Sequence, residues 1–127
     1  MIVYISAPYS AGSRVQVVKN LYAAQLAVRE VYLLGAMGIY TPIMTDHFNG
    51  DVPEAEMLER DLWLLARCDA VLLLEGWQES VGACKERQEA RGLDLPVFDN
   101  LASLGAWLKA PSKSVQRRLA CQLGEGE

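Results

Sequence analysis

Short apolar runs alternate along the chain with longer segments whose apolar residues recur every three or four positions. The runs are rich in β-branched and aromatic residues, which is typical of strands, and they cover residues 2–6, 38–43, 70–74 and 95–98. The longer segments have the spacing of amphipathic helices and cover residues 14–34, 53–67, 80–91 and 101–108. The pattern therefore predicts strands that are each followed by a helix.

The same spacing predicts which side chains of two helices face the core. For the first helix the expected buried face consists of Val18, Leu21, Ala24, Val28, Val31 and Leu34. For the second it consists of Met57, Leu58, Leu62, Leu65 and Ala66. The run at 70–74 is unbroken, as expected for a parallel strand that is buried on both faces.

Strands that alternate with helices imply an α/β fold, a three-layer sandwich of the flavodoxin-like or Rossmann-like kind, with a parallel sheet of about four to five strands. Right-handed crossover connections favour the strand order 2-1-3-4. In that order the chain reverses direction between the first and third strands, so the loops after Ser6 and after Leu74 flank one crevice. We therefore expect a small-molecule site between these two loops.

The length and composition fit a single domain. With 127 residues, of which 51% are hydrophobic, the chain can bury one continuous core. We assign residues 1–110 to the α/β domain and residues 111–127 to a C-terminal tail. In the tail Val115, Leu119 and Leu123 have helical spacing, which favours a helix that docks either on the domain or on a second subunit.

Charge and cysteine content disfavour several classes of partner. The formal charge is -4 and the basic residues are scattered, which disfavours binding to a DNA or RNA polymer. Cys68, Cys84 and Cys121 are odd in number and lack metal-ligand spacing, so we expect reduced thiols and no bound metal. No stretch reaches the roughly 18 apolar residues of a membrane span and no charged leader precedes the first strand, which favours a soluble cytoplasmic protein without a membrane partner.

The loop after the first strand carries hydroxyl groups and a cation. Ser6, Tyr9, Ser10, Ser13 and Arg14 lie at or near the start of the first helix. Because a helix N-terminus favours negative charge and arginine matches the geometry of phosphate, these residues form a candidate anion site. The alternative is a capped turn with a surface arginine, since the glycine-rich phosphate signatures are absent.

The loop after the third strand leads into a helix with a candidate catalytic carboxylate. Ser80 is a suitable N-cap, and Gly82 and Ala83 leave the first backbone N–H groups open to a ligand. Glu86 follows about one and a half turns into the helix, near the sheet edge where open α/β folds bind ligands. The alternative is that Glu86, within K-E-R-Q-E, belongs to a solvated helix face.

Three further residues each have two interpretations. His47 follows the second strand and either contacts substrate or lies on a surface loop. Asp61 lies within a turn of an apolar helix face, either as a half-buried site carboxylate or as a flank residue paired with Arg60. Trp77 either stacks on a base at the mouth of the crevice or covers the core.

Two stretches of the chain carry a resemblance to a known family. L-E-R-D-L-W-L-L-A-R-C-D-A-V-L-L-L and the following S-V-G-A-C-K-E-R-Q-E-A resemble the nucleoside 2-deoxyribosyltransferase-like superfamily, which includes 2′-deoxynucleoside 5′-monophosphate N-glycosidases. The match runs from the first strand to about Phe98, and its most specific part is S-x-G-x-x-x-E at Ser80, Gly82 and Glu86. The opening I-V-Y-I-S-A-P-Y-S is also similar, and Y-T-P-I resembles small uncharacterised bacterial and phage members.

The resemblance assigns roles to individual residues. It implies that Glu86 is the nucleophile, that Tyr4 hydrogen-bonds this carboxylate, and that Asp61 is a second acid that contacts the nucleoside. Transferases of the family have an acid where this chain has Ser80, whereas the monophosphate hydrolases have serine, which favours a nucleoside 5′-monophosphate as substrate. Because similar enzymes are usually at least dimers, a homodimer or higher homo-oligomer is expected, although the C-terminal segment does not match the family.

The function implied is cleavage of the N-glycosidic bond of a 2′-deoxynucleoside or its 5′-monophosphate, as a hydrolase or a deoxyribosyl transferase, without a cofactor. The alternatives are a non-catalytic nucleotide-binding or sequestering protein and an enzyme that cleaves NAD or another ribosyl compound. A dinucleotide dehydrogenase and a P-loop enzyme are disfavoured because G-x-G-x-x-G and G-x-x-x-x-G-K are absent. A receiver domain is disfavoured because the first strand ends in Ser6 and Ala7 rather than in acids.

Overall fold

The computed structural model describes residues 1–8, 13–40 and 53–109 of the chain. The strands are β1 (Ile2–Ser6), β2 (Met37–Ile39), β3 (Ala70–Leu73) and β4 (Val97–Phe98). The α-helices are α1 (Arg14–Leu33), α2 (Glu54–Leu65), α3 (Val81–Gly92) and α4 (Leu101–Lys109). A short 3-10 helix, Trp77–Glu79, lies between β3 and α3. The described strands form one parallel sheet in the order β2-β1-β3-β4, which confirms the predicted fold class and strand order.

The register of the central strands brings two loops to one edge of the sheet. β1 pairs with β3 from Val3 opposite Ala70 to Ser6 opposite Leu73, so the carboxyl ends of both strands lie side by side. The Leu74 N–H donates to the Ser6 carbonyl at 2.9 Å, which extends the contact past the end of β3. The loops that follow β1 and β3 therefore start from adjacent positions, as the sequence predicted.

The alternation of side chains along β1 divides the core into two clusters, one on each face of the sheet. Val3 and Ile5 pack with Ala24 and Val31 of α1 and with Leu104 of α4. On the other face, Tyr4 of β1 packs with side chains from the end of α2, from β3 and from α3, namely Leu65, Val71, Leu73 and Ala90. Helices cover both faces, which makes a three-layer sandwich.

Several predicted boundaries differ from the observed ones. β2 ends at Ile39, and residues 41–43 of the predicted strand lie outside the described residues. β4 begins at Val97 rather than at residue 95, because the Leu95 N–H donates to the Ala90 carbonyl at the end of α3 and Pro96 has no N–H. α2 ends at Leu65, two residues before the predicted end.

The predicted buried faces of α1 and α2 were partly wrong. Val18 is 58% exposed and Leu34 38% exposed, whereas the core contacts of α1 come from Ala24, Ala27 and Val31. Six residues turn an α-helix by about 600°, so Val18 lies roughly 120° around the helix from Ala24, beyond the face that meets the sheet. In α2 the error concerns Ala66, which caps the helix and is exposed.

Residues 110–127 lie outside the described part of the chain, so the C-terminal tail and its docking stay predictions. Within residues 1–8, 13–40 and 53–109, none of the helices combines the length and the apolar content that crossing a bilayer requires.

Candidate functional site

Glu86 lies on the side of α3 that faces the protein interior. Its side chain is 7% exposed and shares the inner side of α3 with Ala83 and Ala90, which lie one turn before and one turn after it. Lys85 and Glu89, which flank this inner side, are exposed. Among the described residues Glu86 is the one buried side chain with a formal charge, so the solvated-face interpretation does not hold for it.

Hydroxyl groups from β1 hold both oxygens of this carboxylate. The Tyr4 hydroxyl donates to Oε2 of Glu86, which is the hydrogen bond that the resemblance implied. The Ser6 hydroxyl donates to Oε1 at 2.9 Å. Tyr4 and Ser6 are two residues apart and therefore project from the same face of β1. The carboxylate is thus fixed against the central strand of the sheet.

The surroundings of Glu86 make its carboxyl group a weaker acid than usual. Its pKa is raised from 4.5 to about 7 as the net result of several effects. Burial raises the pKa, the hydrogen bonds from Tyr4 and Ser6 lower it, and the negative charge of Asp61 raises it. A carboxyl group with a pKa near 7 is ionised in a large fraction of molecules at neutral pH and also holds a proton in the others. Such a group can act as a nucleophile or exchange a proton near neutral pH.

Asp61 lies on α2, the helix that packs beside α3, and its side chain is half-buried. Its charge acts on Glu86 strongly enough to contribute to the raised pKa of that group. Interacting acids in a sheet-edge crevice are typical of functional sites, although structural clusters also show them. Both interpretations that the sequence left open for Asp61 stay predictions.

The start of α3 borders the site. The Ser80 hydroxyl accepts a hydrogen bond from the Ala83 N–H at 3.2 Å, which confirms Ser80 as the N-cap. A Cβ atom added to Gly82 would have no neighbour within 4 Å, so the space beside this first turn is open.

The loops after β1 and β3 are in contact. Gly76 has a φ of 89°, a conformation that favours glycine, and a Cβ atom there would lie 3.3 Å from Cγ of Pro8. The proximity of Pro8 and Gly76 supports the prediction that the two loops flank the same region.

Trp77 begins the short 3-10 helix in the loop after β3. Its half-buried ring packs against the core cluster that contains Tyr4 and Leu65, and the Arg87 guanidinium lies 5.1 Å from the ring centroid. These contacts favour the interpretation of Trp77 as a cover of the core rather than as a stacking surface for a base.

The first loop is described only in part. The Ser13 hydroxyl accepts from the Gln16 N–H at 3.2 Å and caps α1, and Arg14 is exposed at the first position of the helix. Tyr9, Ser10 and His47, three of the predicted binding residues, lie outside the described residues. The described part matches the capped turn with a surface arginine, and the anion site stays a prediction.

Cysteine and acidic side chains of the described residues form no cluster of three or more that would hold a metal ion. Cys68 and Cys84 are free thiols. Burial raises the pKa of Cys68 to about 11, and its thiol donates to the Leu64 carbonyl at 3.5 Å. At neutral pH Cys68 is therefore an inert thiol.

The sequence predicts Ser6 as a substrate contact, whereas in the structure Ser6 is bonded to Glu86. Ser6 is 0% exposed and its hydroxyl donates to the carboxylate. The signal was present in the alternation of β1, which puts Ser6 on the same face as Tyr4. The approach of α3 to that face depends on tertiary packing.

Comparisons with known proteins give a fold and a family. The curated proteins contain no match to the sequence. Among solved structures, the fold is similar to that of a 2-deoxyribosyltransferase from the psychrotolerant bacterium Bacillus psychrosaccharolyticus, with a TM-score of 0.55. The two chains are 14% identical, and the match covers 76% of this chain and 69% of that chain. At this identity the likeness shows a shared fold.

A protein-family model described as "Domain of unknown function (DUF4406)" matches residues 1–99. The match includes the four described strands, Glu86 and the side chains that hold it. It covers more than three quarters of the 127 residues, and the chain therefore belongs to the DUF4406 family.

Proposed function

We propose that this protein cleaves the N-glycosidic bond of a 2′-deoxynucleoside or its 5′-monophosphate, with Glu86 as the nucleophile. The observation that carries the proposal is a buried carboxylate whose two oxygens each accept a hydroxyl hydrogen bond from the central strand. It lies beside the carboxyl ends of β1 and β3, the part of an α/β sheet where ligands bind. The structural likeness to a 2-deoxyribosyltransferase supports the same class of chemistry.

In the first step the ionised Glu86 carboxylate attacks the anomeric carbon of the sugar. A carbon–oxygen bond forms to Glu86 while the glycosidic carbon–nitrogen bond breaks, and the departing base takes the bonding electron pair and a proton. Positive charge develops on the sugar in the transition state, and the nearby carboxylate stabilises it. The product of this step is a glycosyl ester on Glu86.

In the second step water or another base attacks the same carbon and releases Glu86. With water the outcome is hydrolysis, and with a second base it is deoxyribosyl transfer. Both displacements occur at one carbon, so the configuration at the anomeric centre is retained.

Asp61 is the second acid of the proposed mechanism. Its half-buried position on α2 and its electrostatic effect on Glu86 support a place beside the reacting sugar. There it orients the sugar or the base, or supplies the proton that the leaving base takes.

The start of α1 and the start of α3 are the proposed binding groups for a 5′-phosphate. Ser13 and Arg14 begin α1, and Ser80 and Gly82 begin α3 with open space beside them. Helix N-termini favour anions because their first N–H groups lack intrahelical acceptors. Tyr9, Ser10 and His47 of the connecting loops are proposed as further contacts of the substrate.

Chromatography of the released free base tests the proposal. The substrates are 2′-deoxynucleosides, their 5′-monophosphates, ribonucleosides and NAD, each with and without a second base as acceptor. We expect release from a 2′-deoxy substrate, and a loss of at least about a hundredfold in turnover for Glu86→Gln because the nucleophile is removed. Glu89→Gln, which removes an exposed carboxylate from the same helix, is the matched control and should retain the wild-type rate.

Wild-type turnover in Glu86→Gln would contradict the assignment of the nucleophile. Preferred cleavage of ribosyl substrates or NAD would contradict the 2′-deoxy preference. Tight binding of a nucleotide without base release in either form would identify a binding protein that uses the same crevice.

A further inference from the structure

The Ser6 hydroxyl is a buried polar group that the mechanism above does not use. Its side chain is 0% exposed, and its hydroxyl donates to Oε1 of Glu86 at 2.9 Å. Apart from tyrosine and cysteine side chains, Ser6 and Glu86 are the two buried polar or charged residues in the described part of the chain, and they are bonded to each other.

The position of this hydroxyl is set by the sheet. Ser6 pairs with Leu73 in the ladder between β1 and β3, and its carbonyl accepts from the Leu74 N–H at 2.9 Å. β1 is paired along both of its edges, with β2 on one side and β3 on the other. A donor on such a strand is more rigidly placed than one on a loop.

The two hydroxyls from β1 restrain the carboxylate together. Tyr4 binds one oxygen of Glu86 and Ser6 binds the other, so rotation of the carboxyl group would break both hydrogen bonds. The terminal torsion of a glutamate side chain is otherwise loosely defined. Each carboxylate oxygen has about two acceptor positions, which leaves one on each oxygen for a substrate.

Among the described residues, no cation contributes to the shifted pKa of Glu86. From the elements packed against α3, β1 contributes Tyr4 and α2 contributes Asp61, while β3 and β4 carry apolar side chains. Glu79 of the 3-10 helix is exposed. Within α3 itself, Lys85 is exposed and Arg87 lies over the Trp77 ring.

We propose that Ser6 is a positioning residue that, with Tyr4, holds Glu86 ionised and in the orientation needed for attack on the sugar. The catalytic consequence rests on the proposed function, whereas the effect on the charge of Glu86 does not. Hydrogen bonds donated to a carboxylate stabilise its charged form, and the bond from Ser6 opposes the effect of burial.

Substitution of Ser6 by alanine tests the proposal through the titration of Glu86. The ¹³C resonance of the Glu86 side-chain carboxyl, identified by its loss in Glu86→Gln, is followed against pH by NMR. We expect the midpoint to move upward by about one to two pH units in Ser6→Ala, the range that a hydrogen bond to a charged group supplies. Ser6→Thr keeps the hydroxyl, so its midpoint should stay close to the wild-type value. Ser103→Ala removes an exposed serine on α4 and should leave the midpoint unchanged.

The pH dependence of base release gives a second readout. The acid limb of kcat/KM should move with the NMR midpoint, so Ser6→Ala should lose about tenfold at pH 7 and less at pH 9. KM should change little. If no form releases base, the proposed function fails while the NMR titration still decides the role of Ser6.

An unchanged midpoint in folded Ser6→Ala would overturn the proposal. A raised KM with an unchanged titration would also overturn it, because that result assigns Ser6 to substrate contact. If Ser6→Ala does not fold, Ser6→Cys replaces the hydroxyl with a weaker donor of similar size. The midpoint of Ser6→Cys should then rise, and an unchanged midpoint would likewise overturn the proposal.

Discussion

Replacement of Glu86 by glutamine should make the free energy of unfolding, relative to wild type, increase with pH, in a test that needs no substrate. The folded state raises the pKa of Glu86 from 4.5 to about 7, so it binds the proton of this group more tightly than the unfolded chain does. Glu86 therefore contributes stability that is fully present below about pH 4.5 and is lost as the pH rises through about 7.

The size of this effect follows from the two pKa values. At about 1.4 kcal/mol for each pKa unit, a rise from 4.5 to about 7 corresponds to about 3 kcal/mol. Glutamine has nearly the same shape and does not titrate. The free energy of unfolding of Glu86→Gln, relative to wild type, should therefore increase by about 3 kcal/mol between pH 4.5 and pH 8.

Urea unfolding of both proteins at a series of pH values measures this difference. With a urea dependence of about 1–3 kcal/mol per molar, the midpoint of Glu86→Gln should rise relative to wild type by about 1–3 M over the range. Titrating groups that do not interact with Glu86 affect both proteins alike and cancel in the comparison. Glu89→Gln removes an exposed carboxylate from the same helix, so its difference from wild type should vary little with pH.

A difference between Glu86→Gln and wild type that stays constant from pH 4.5 to pH 8 would contradict this prediction. It would mean that the carboxyl group of Glu86 titrates alike in the folded and unfolded states. The burial and the hydroxyl contacts that define the candidate site would then not act on its charge.

Two further predictions concern the loops and the anion site. Gly76→Ala should lower the free energy of unfolding by about 1–3 kcal/mol because φ is 89°, whereas Gly82→Ala, at an open position in α3, should raise it by about 0.5–1 kcal/mol. Thermal unfolding compares the two variants, and equal effects would contradict the claim that the backbone conformation at Gly76 requires glycine. Arg14→Ala should reduce kcat/KM for 5′-monophosphates more than for nucleosides, with Arg29→Ala as a control further along α1, and equal loss for both substrate classes would remove Arg14 from the phosphate site.

Much of the fold was predictable because it depends on local patterns. The unbroken run of β3 indicated a strand that is buried on both faces, and Ala70 to Leu73 are all buried. The alternation of strands and helices, together with the handedness of crossovers, was sufficient to predict the strand order. The buried face of α1 was less predictable, because apolar residues spaced by three drift around the helix. Val18, near the start of the helix, therefore points away from the sheet and is exposed.

The site was harder to predict because its contacts join distant parts of the chain. Glu86 lies among charged neighbours, a local pattern that is typical of a solvated face, yet it is buried. Its partners Tyr4 and Ser6 are separated from it by 82 and 80 residues. The resemblance implied the bond from Tyr4, whereas the bond from Ser6 became visible only with α3 packed on β1.

Trapping the glycosyl ester on Glu86 tests directly whether this residue is the nucleophile. A 2′-deoxy-2′-fluoro arabinosyl nucleoside is a suitable reagent, because the fluorine destabilises positive charge at the neighbouring carbon and slows release of the ester. If Glu86 is the nucleophile, mass spectrometry should find one added fluorosugar on the peptide that contains residue 86 in wild type and none in Glu86→Gln. An adduct on another residue, or release of base with no adduct under conditions that trap a known deoxyribosyltransferase, would contradict this assignment.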